Sequence, residues 1–215
     1  MANGLRNRLA IRFAVEGDLR FISHHDSLRL FERALVRAAV PLRYSEGFNP
    51  RPRLSLALPR PVGVASRDEL LVIELTEPLD PSAALTRLTP QMPTGVTLLG
   101  SEILDDRDRR LPSEACYAVR FEPSERDRVA SHATAFLAAP HVIVARDTPG
   151  ADSRGKSVDI RPFILSIEVD EGETRWRQTV SQAGTARVPE VLDVLGLPSG
   201  EYLHRVRREK VAYQA

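Results

Sequence analysis

The sequence predicts an α+β chain of two tandem ferredoxin-like (split βαβ) halves packed together. Three observations predict it. Apolar residues recur at period 2 and at period 3.6 in an order that reads β-α-β-β-α-β, with one further short strand, and then restarts. The charged stretch 105–110, DDRDRR, separates the two runs. Hydrophobic residues make up 42% of the 215 and charged residues 27%, so a core can form and disorder is not the default. The expected halves are residues 1–104 and 111–215.

The elements follow in order. Residues 8–15, RLAIRFAV, alternate polar and apolar as a half-buried strand does. Glu16-Gly17-Asp18 is a turn, and Ser23 or Asp26 can cap the next helix. That helix is expected over 26–39, from the spacing of Leu28, Leu30, Phe31, Leu35, Val36 and Ala39, and Pro41 stops it. Arg29, Arg33 and Arg37 step by four and share one face. Residues 42–44 form a short strand. SEGFNPRPR over 45–53 is a stiff extended loop, because Gly, Asn and two prolines fall together. Strands are expected at 54–58, 69–75 and 96–99, with a loop at 59–66 and a helix over 81–88 that has Pro81 in its first turn. In the second half the expected elements are a strand at 116–121, a helix at 124–138 and a strand at 141–145. A loop at 150–155, a hairpin of 158–169 with 174–180, a helix at 188–195 and a strand at 203–212 complete it. The halves share an order of elements and no sequence repeat.

Composition bounds function. No run approaches the roughly 20 apolar residues that span a bilayer, and MANGLRNRLA is not of signal-peptide type. A cytoplasmic protein with no membrane partner is therefore expected. One cysteine, Cys116, cannot alone make an intramolecular disulfide, a thiolate zinc site or an iron–sulfur cluster site. It sits in the alternating run ACYAVRF and is expected to be a buried thiol. No cofactor is expected. The net charge of +1 is uneven: residues 1–60 carry 11 arginines against 5 carboxylates, or +6, which leaves −5 for the rest. A basic N-terminal part fits a polyanion partner. The bland alternative is a coding bias for Arg, since Lys occurs only at Lys156 and Lys210, although this does not explain the clustering.

Three constellations could carry chemistry. The first is Ser23, His24, His25 and Asp26, followed by Arg29 and Arg33. A helix start favours an anion, and His24 could act as general acid or base with Asp26 orienting it. A structural role is the competing reading: one residue caps the helix, one histidine packs beneath it and the other is solvated. Two adjacent histidines in a strand-like segment point to opposite sides. His132, His141 and His204 show no ligand spacing, so no metal site is expected. The second constellation is Tyr44, Ser45, Gly47, Phe48, Asn49, Arg51 and Arg53. Tyr44 and Phe48 offer rings for base stacking, Arg51 and Arg53 can bind phosphate, and Asn49 can read a base edge. Here the alternative is a rigid turn with Phe48 in the core. The third is Lys156, Asp159 and Arg161, where alternation puts Asp159 and Arg161 on one strand face. A solvated ion pair is the plain reading there. No phosphate-binding Gly loop, GxSxG, HExxH or CxxC occurs.

The stretch FISHHDSLRLFERALVRAAVPLRYSEGFNPRPRLSLALPRPVGVASRDE resembles the opening of the radical SAM-linked protein family, also called domain of unknown function 2344. The motif matches are Ser23, His24, Asp26 and Arg29, then Ser45, Gly47, Phe48, Asn49, Pro50 and Pro52. Later matches are Lys156, Asp159, Ile160, Arg161 and Pro162, with TARVPEVLDVLGL near the C-terminus. His25 stands where the family pattern has Leu, and Arg51 where it has His. The resemblance, to the stand-alone form without the radical SAM domain, implies a radical SAM protein as partner. Any radical chemistry would then belong to that partner. The functional expectation is an RNA-binding accessory module in tRNA or rRNA modification or processing. Two other classes stay open: a metal-independent endoribonuclease-like enzyme using His24, and a protein-only adaptor docking the radical SAM partner.

Overall fold

The structure, a computed structural model, describes residues 7–105, 107–146 and 156–214. The chain is a mixed α+β protein whose sheet is mostly antiparallel. It divides into two compact units: Met1–Pro112 with Tyr213–Ala215, and Ser113–Ala212.

The first unit runs β1 (Asn7–Val15), α1 (His24–Arg37), β2 (Leu54–Leu56), β3 (Ala65–Leu75), α2 (Pro81–Leu88) and β4 (Val96–Leu104). Its strands lie in the order β4-β1-β3, with β2 on β3, and each of these pairs is antiparallel. β1 is central, so both of its faces are buried. Leu9, Ile11, Phe13 and Val15 meet Phe31, Ala34 and Leu35 of α1 together with Ala84 and Leu88 of α2, while Ala10 packs with Leu70, Val72 and Leu104 on the other side. Phe13 and Phe31 pack edge to face at 4.6 Å, a favoured geometry for aromatic pairs.

Two strands of this unit, β3 and β4, are longer than the alternation predicts. β3 starts at Ala65 rather than 69, because Ser66 pairs with Val15 and Asp68 receives the Arg12 guanidinium at 2.5 Å. The polar run ASRD reads as loop but is satisfied within the ladder. β4 continues through Gly100 to Leu104, with a bulge opposite Arg12 and Phe13 absorbing the irregularity. Residues 42–44 contribute only isolated bridges, Leu42 to Leu75 and Tyr44 to Pro52. α1 ends in a Schellman arrangement: the Ala39 N–H donates to the Val36 carbonyl and the Val40 N–H to the Leu35 carbonyl, both at 3.1 Å. Ala39 takes the left-handed position, with φ 50°, where glycine is usual.

The second unit runs β5 (Leu111–Arg120), α3 (Arg126–Ala138), β6 (Ile143–Arg146), β7 (Lys156–Asp159), β8 (Ile164–Val169), β9 (Glu173–Thr179), α4 (Val188–Val194), α5 (Ser199–Tyr202) and β10 (Val206–Gln214). The order is β10-β5-β9-β8, and β6 with β7 forms a separate two-stranded sheet. Residues 158–169 are therefore not one strand. Arg161–Phe163 turns as a 3-10 helix with Pro162 inside it and splits the run. The expected loop at 150–155 lies outside the described residues. Tyr117 stacks on Trp176 at 5.2 Å in the core of this unit. Cys116, next to Tyr117 on β5, is only half-buried, and burial with the nearby Glu209 charge raises its thiol pKa. The expected buried thiol is corrected by the alternation itself, since Ala115 and Tyr117 take the inward positions.

Candidate functional site

The chain reaches the first motif through a 3-10 turn, Gly17–Phe21. Arg60 fixes that turn from across the unit. Its guanidinium donates to the Arg20 carbonyl at 2.6 Å and the Leu19 carbonyl at 3.2 Å, and the Gly63 N–H also donates to Arg20 at 2.8 Å. Ser23 then caps α1, its hydroxyl oxygen accepting from the Asp26 N–H at 3.1 Å and its hydroxyl donating to the Asp26 carboxylate at 2.7 Å. Arg29 approaches the other carboxylate oxygen at 3.4 Å. The Ser23 hydroxyl, foremost, lowers the Asp26 pKa; desolvation opposes it, and the Arg29 charge adds to the lowering.

His24 and His25 are the first two residues of α1, not a strand pair. Their rings meet edge to face at 5.8 Å. His24 is half-buried with its Nδ1 unpartnered, and burial first, then the neighbouring His25, lowers its pKa. His25 is exposed. Asp26 bonds to Ser23 and Arg29 and forms no hydrogen bond to either histidine. The arrangement in which Asp26 orients His24 is therefore not built.

Arg29, Arg33 and Arg37 line the solvent face of α1 as their spacing predicts. Arg37 is held by Gln91, donating from Nε to the side-chain oxygen at 3.0 Å and from Nη2 to the backbone carbonyl at 2.9 Å. Arg33 has no hydrogen bond or ion pair among the described residues. A cavity of about 560 Å³ lies along this flank, lined by Asp26, Arg29, Arg33, Arg37 and Gln91 among others. On the opposite flank Arg33 and Arg37 border a second groove of about 400 Å³ with Glu32, Val36, Tyr44 and Pro52. Arg33 and Arg37 thus line both grooves, with the Arg37 guanidinium turned towards Gln91 of the first.

SEGFNPRPR, expected as a stiff extended loop, folds back on itself as a hairpin. The Ser45 N–H donates to the Arg51 carbonyl at 2.8 Å, the Arg51 N–H to the Ser45 hydroxyl at 3.0 Å and the Arg53 N–H to the Arg43 carbonyl at 2.8 Å. Two further backbone bonds of 2.9 Å, from Arg43 to Glu74 and from Glu74 to Arg53, fasten its base to β3. Gly47 sits at φ 124°, a turn geometry that favours glycine. Next to it Phe48 is 106% exposed, as open as in an unfolded chain, so the reading of Phe48 as a core residue is excluded. Asn49 and Arg51 are exposed, and no partner holds the Arg51 side chain among the described residues. Arg53 turns the other way, towards Glu74 at 3.7 Å, and lines a separate cavity of about 400 Å³ with Arg8, Ser45 and Ser55. The hairpin thus presents Tyr44 and Pro52 to the α1 groove and Ser45 and Arg53 to another.

The third constellation lies in the second unit. Asp159 ends β7 and accepts from the Val142 N–H at 2.9 Å and the Arg161 N–H at 3.1 Å, and it faces His141 Nδ1 at 2.7 Å. The Val142 N–H first, then His141, lower its pKa. Arg161 donates to the carbonyls of Ile164 and Leu137, each at 3.0 Å, and lies over the Phe136 ring. The expected shared strand face fails, because the strand stops at Asp159 and Arg161 opens the 3-10 turn. Both side chains are engaged in local structure. The Lys156 side chain lies outside the described residues.

The sequence reading left Arg37, Val36 and Gln91 out of the site. The four-residue arginine step marks Arg37, but nothing in the sequence marks Gln91, which reaches α1 only through the fold. Among the described residues no group of three or more His, Cys, Asp and Glu could hold a metal ion, and no helix is long and apolar enough to cross a membrane.

Among curated proteins no match is found. Among solved structures, one titled "Crystal Structure of a Cbf5-Nop10-Gar1 Complex" is similar over 94% of this chain at 12% identity and a TM-score of 0.48. The match takes in 48% of that chain, so this chain spans about half its length. A family model described as "Uncharacterized protein conserved in bacteria (DUF2344)" matches residues 8–189, which takes in all three motifs, and the chain belongs to that family.

Proposed function

We propose that this chain is an RNA-binding accessory module that works with a radical SAM enzyme in modifying or processing tRNA or rRNA. The radical SAM partner rests on the motif resemblance alone. The RNA reading rests on the site. The observation that carries it is Phe48, an aromatic side chain held wholly in solvent at the tip of a fastened hairpin. A phenylalanine gains nothing for the fold there, whereas a stacked base would use it. Arg33 and Arg51, whose side chains have no partner among the described residues, supply charge for phosphates, and residues 1–60 carry the positive excess.

The strand orders support a finer reading of the fold. The orders β4-β1-β3, with β2 beside β3, in the first unit and β10-β5-β9-β8 in the second match the order expected of a ferredoxin-like split βαβ sheet, with the β6–β7 hairpin read as an insertion. The ribonuclease reading has less support, since Asp26 bonds to Ser23 and Arg29 and leaves His24 without an orienting carboxylate among the described residues.

Filter binding of total RNA at low and at physiological salt tests the proposal. Binding that weakens with salt is the expected result, because released counterions drive such association. A response with no affinity and no salt slope would sink it. Recovery of the radical SAM enzyme on the tagged chain tests the partner. Loss of that enzyme under RNase would mean that RNA bridges the two, and its failure to appear at all would remove it from the account.

A further inference from the structure

We infer that the groove between α1 and the base of the hairpin is a slot for one unstacked base of a single-stranded RNA. The inference rests on the RNA-binding reading and names the form of RNA the site takes.

The groove holds about 400 Å³ and is lined by Glu32, Arg33, Val36, Arg37, Tyr44 and Pro52. Its composition is divided. Tyr44, 44% exposed, and Val36, 56% exposed, leave an aromatic ring and a branched aliphatic chain open to water beside the ring of Pro52. Arg33 and Arg37 line it with them: Arg33 has no hydrogen bond or ion pair among the described residues, and Arg37 is fixed by Gln91. A nucleotide has the same division: a flat apolar base and an anionic phosphate. With the base against Tyr44, the phosphate falls to Arg33 and Arg37. Glu32 repels phosphate from its own side, which selects the direction in which the backbone leaves the groove.

Strandedness follows from the geometry of the ligand. In an A-form duplex the base faces are covered by stacking and only edges and 2′-hydroxyls are offered in the shallow groove. Away from its two ends a duplex leaves no face free to lie on Tyr44. A single strand or a loop can splay one base out and leave its neighbour to Phe48 at the hairpin tip. An acidic peptide would satisfy the two arginines but has no flat apolar group for Tyr44.

Fluorescence anisotropy with a labelled oligouridine and with a blunt RNA duplex of equal length separates these cases. The full chain is expected to bind the oligouridine more tightly than the duplex. Tyr44→Ala is expected to weaken the oligouridine about 5- to 150-fold, the loss of one base–aromatic stack, and Tyr44→Phe to leave it unchanged. Val36→Glu, on the facing wall, weakens it too, by placing a carboxylate beside the phosphate. Equal affinity for the two RNAs with no effect of Tyr44→Ala would overturn the slot and leave the RNA-binding reading standing. Binding of neither RNA would overturn both.

Discussion

Replacing Phe48 by Ala separates what the hairpin does for the fold from what it does for a ligand. Phe48 is 106% exposed, so the substitution removes no buried area and leaves no cavity. Surface changes of this kind fall within about 0.5 kcal/mol. For a chain of 215 residues that is a shift in Tm under about 2 °C, since each kcal/mol moves a domain of this size by roughly 2–4 °C. Phe31, 1% exposed and packed on Phe13, is the contrast. Its loss to Ala costs about 3–5 kcal/mol in transfer and cavity energy, on the order of 10 °C. Binding is expected to reverse this ranking for Phe48. Loss of one stacked base costs about 1–3 kcal/mol, which a titration at fixed salt reads as roughly a 5- to 150-fold rise in Kd. Thermal unfolding and RNA titration on the same preparation are the assay. A Phe48→Ala protein that unfolds as early as Phe31→Ala, or that binds RNA as the wild type does, would refute the reasoning.

The other predictions concern the helix that carries the arginines. Arg33→Gln combined with Arg37→Gln is expected to lower the slope of log Kobs against log salt by about 1.4, because each lost contact to a single strand removes roughly 0.7; an unchanged slope in a salt titration would show that neither arginine meets phosphate. Ala39→Gly is expected to stabilise the chain by about 1 kcal/mol, because Ala39 carries the left-handed cap of α1 at φ 50° and a side chain costs about that much there. A lower Tm would speak against the strain. The lowered pKa of His24, caused first by burial, gives a signed pH dependence. Below the usual value of about 6.5 the unfolded chain takes up a proton that the folded chain still refuses, so stability falls as pH drops from there to the folded pKa. Denaturant titrations across that window should show the slope in wild type and a flatter profile in His24→Gln; identical profiles would remove His24 from it.

Where a single period dominates, the sequence was readable. β1 sets a large apolar residue at every second position from Leu9 to Val15, and α1 repeats its apolar residues at helical spacing, so both emerge within a few residues of their ends. The ends themselves depend on partners distant in sequence. Ser66 and Asp68 look like loop residues until Val15 and Arg12 receive them. Proline at 162 breaks 158–169 where apolar content alone suggests continuity. The candidate site follows the same division. Phe48, Asn49 and Arg51 were legible as a stiff, exposed aromatic and arginine segment, because Gly47 and two prolines mark the turn. The inward turn of Arg53 was not, since it depends on Glu74 of β3. Nor was the partner of Asp26, because the pattern S-H-H-D suits a Ser23 cap and a His24 dyad equally, and only the 2.7 Å contact to Ser23 decides between them.

Crosslinking in living cells, followed by sequencing of the RNA bound to the full chain and mass spectrometry of the crosslinked peptides, tests the central claim most directly. The account predicts a defined set of RNAs enriched over an unrelated control protein, with crosslinked peptides that contain Tyr44 or Phe48, and loss of that enrichment in the Arg33→Gln and Arg37→Gln double variant. No enrichment over the control, or crosslinks confined to peptides outside residues 23–53, would contradict it.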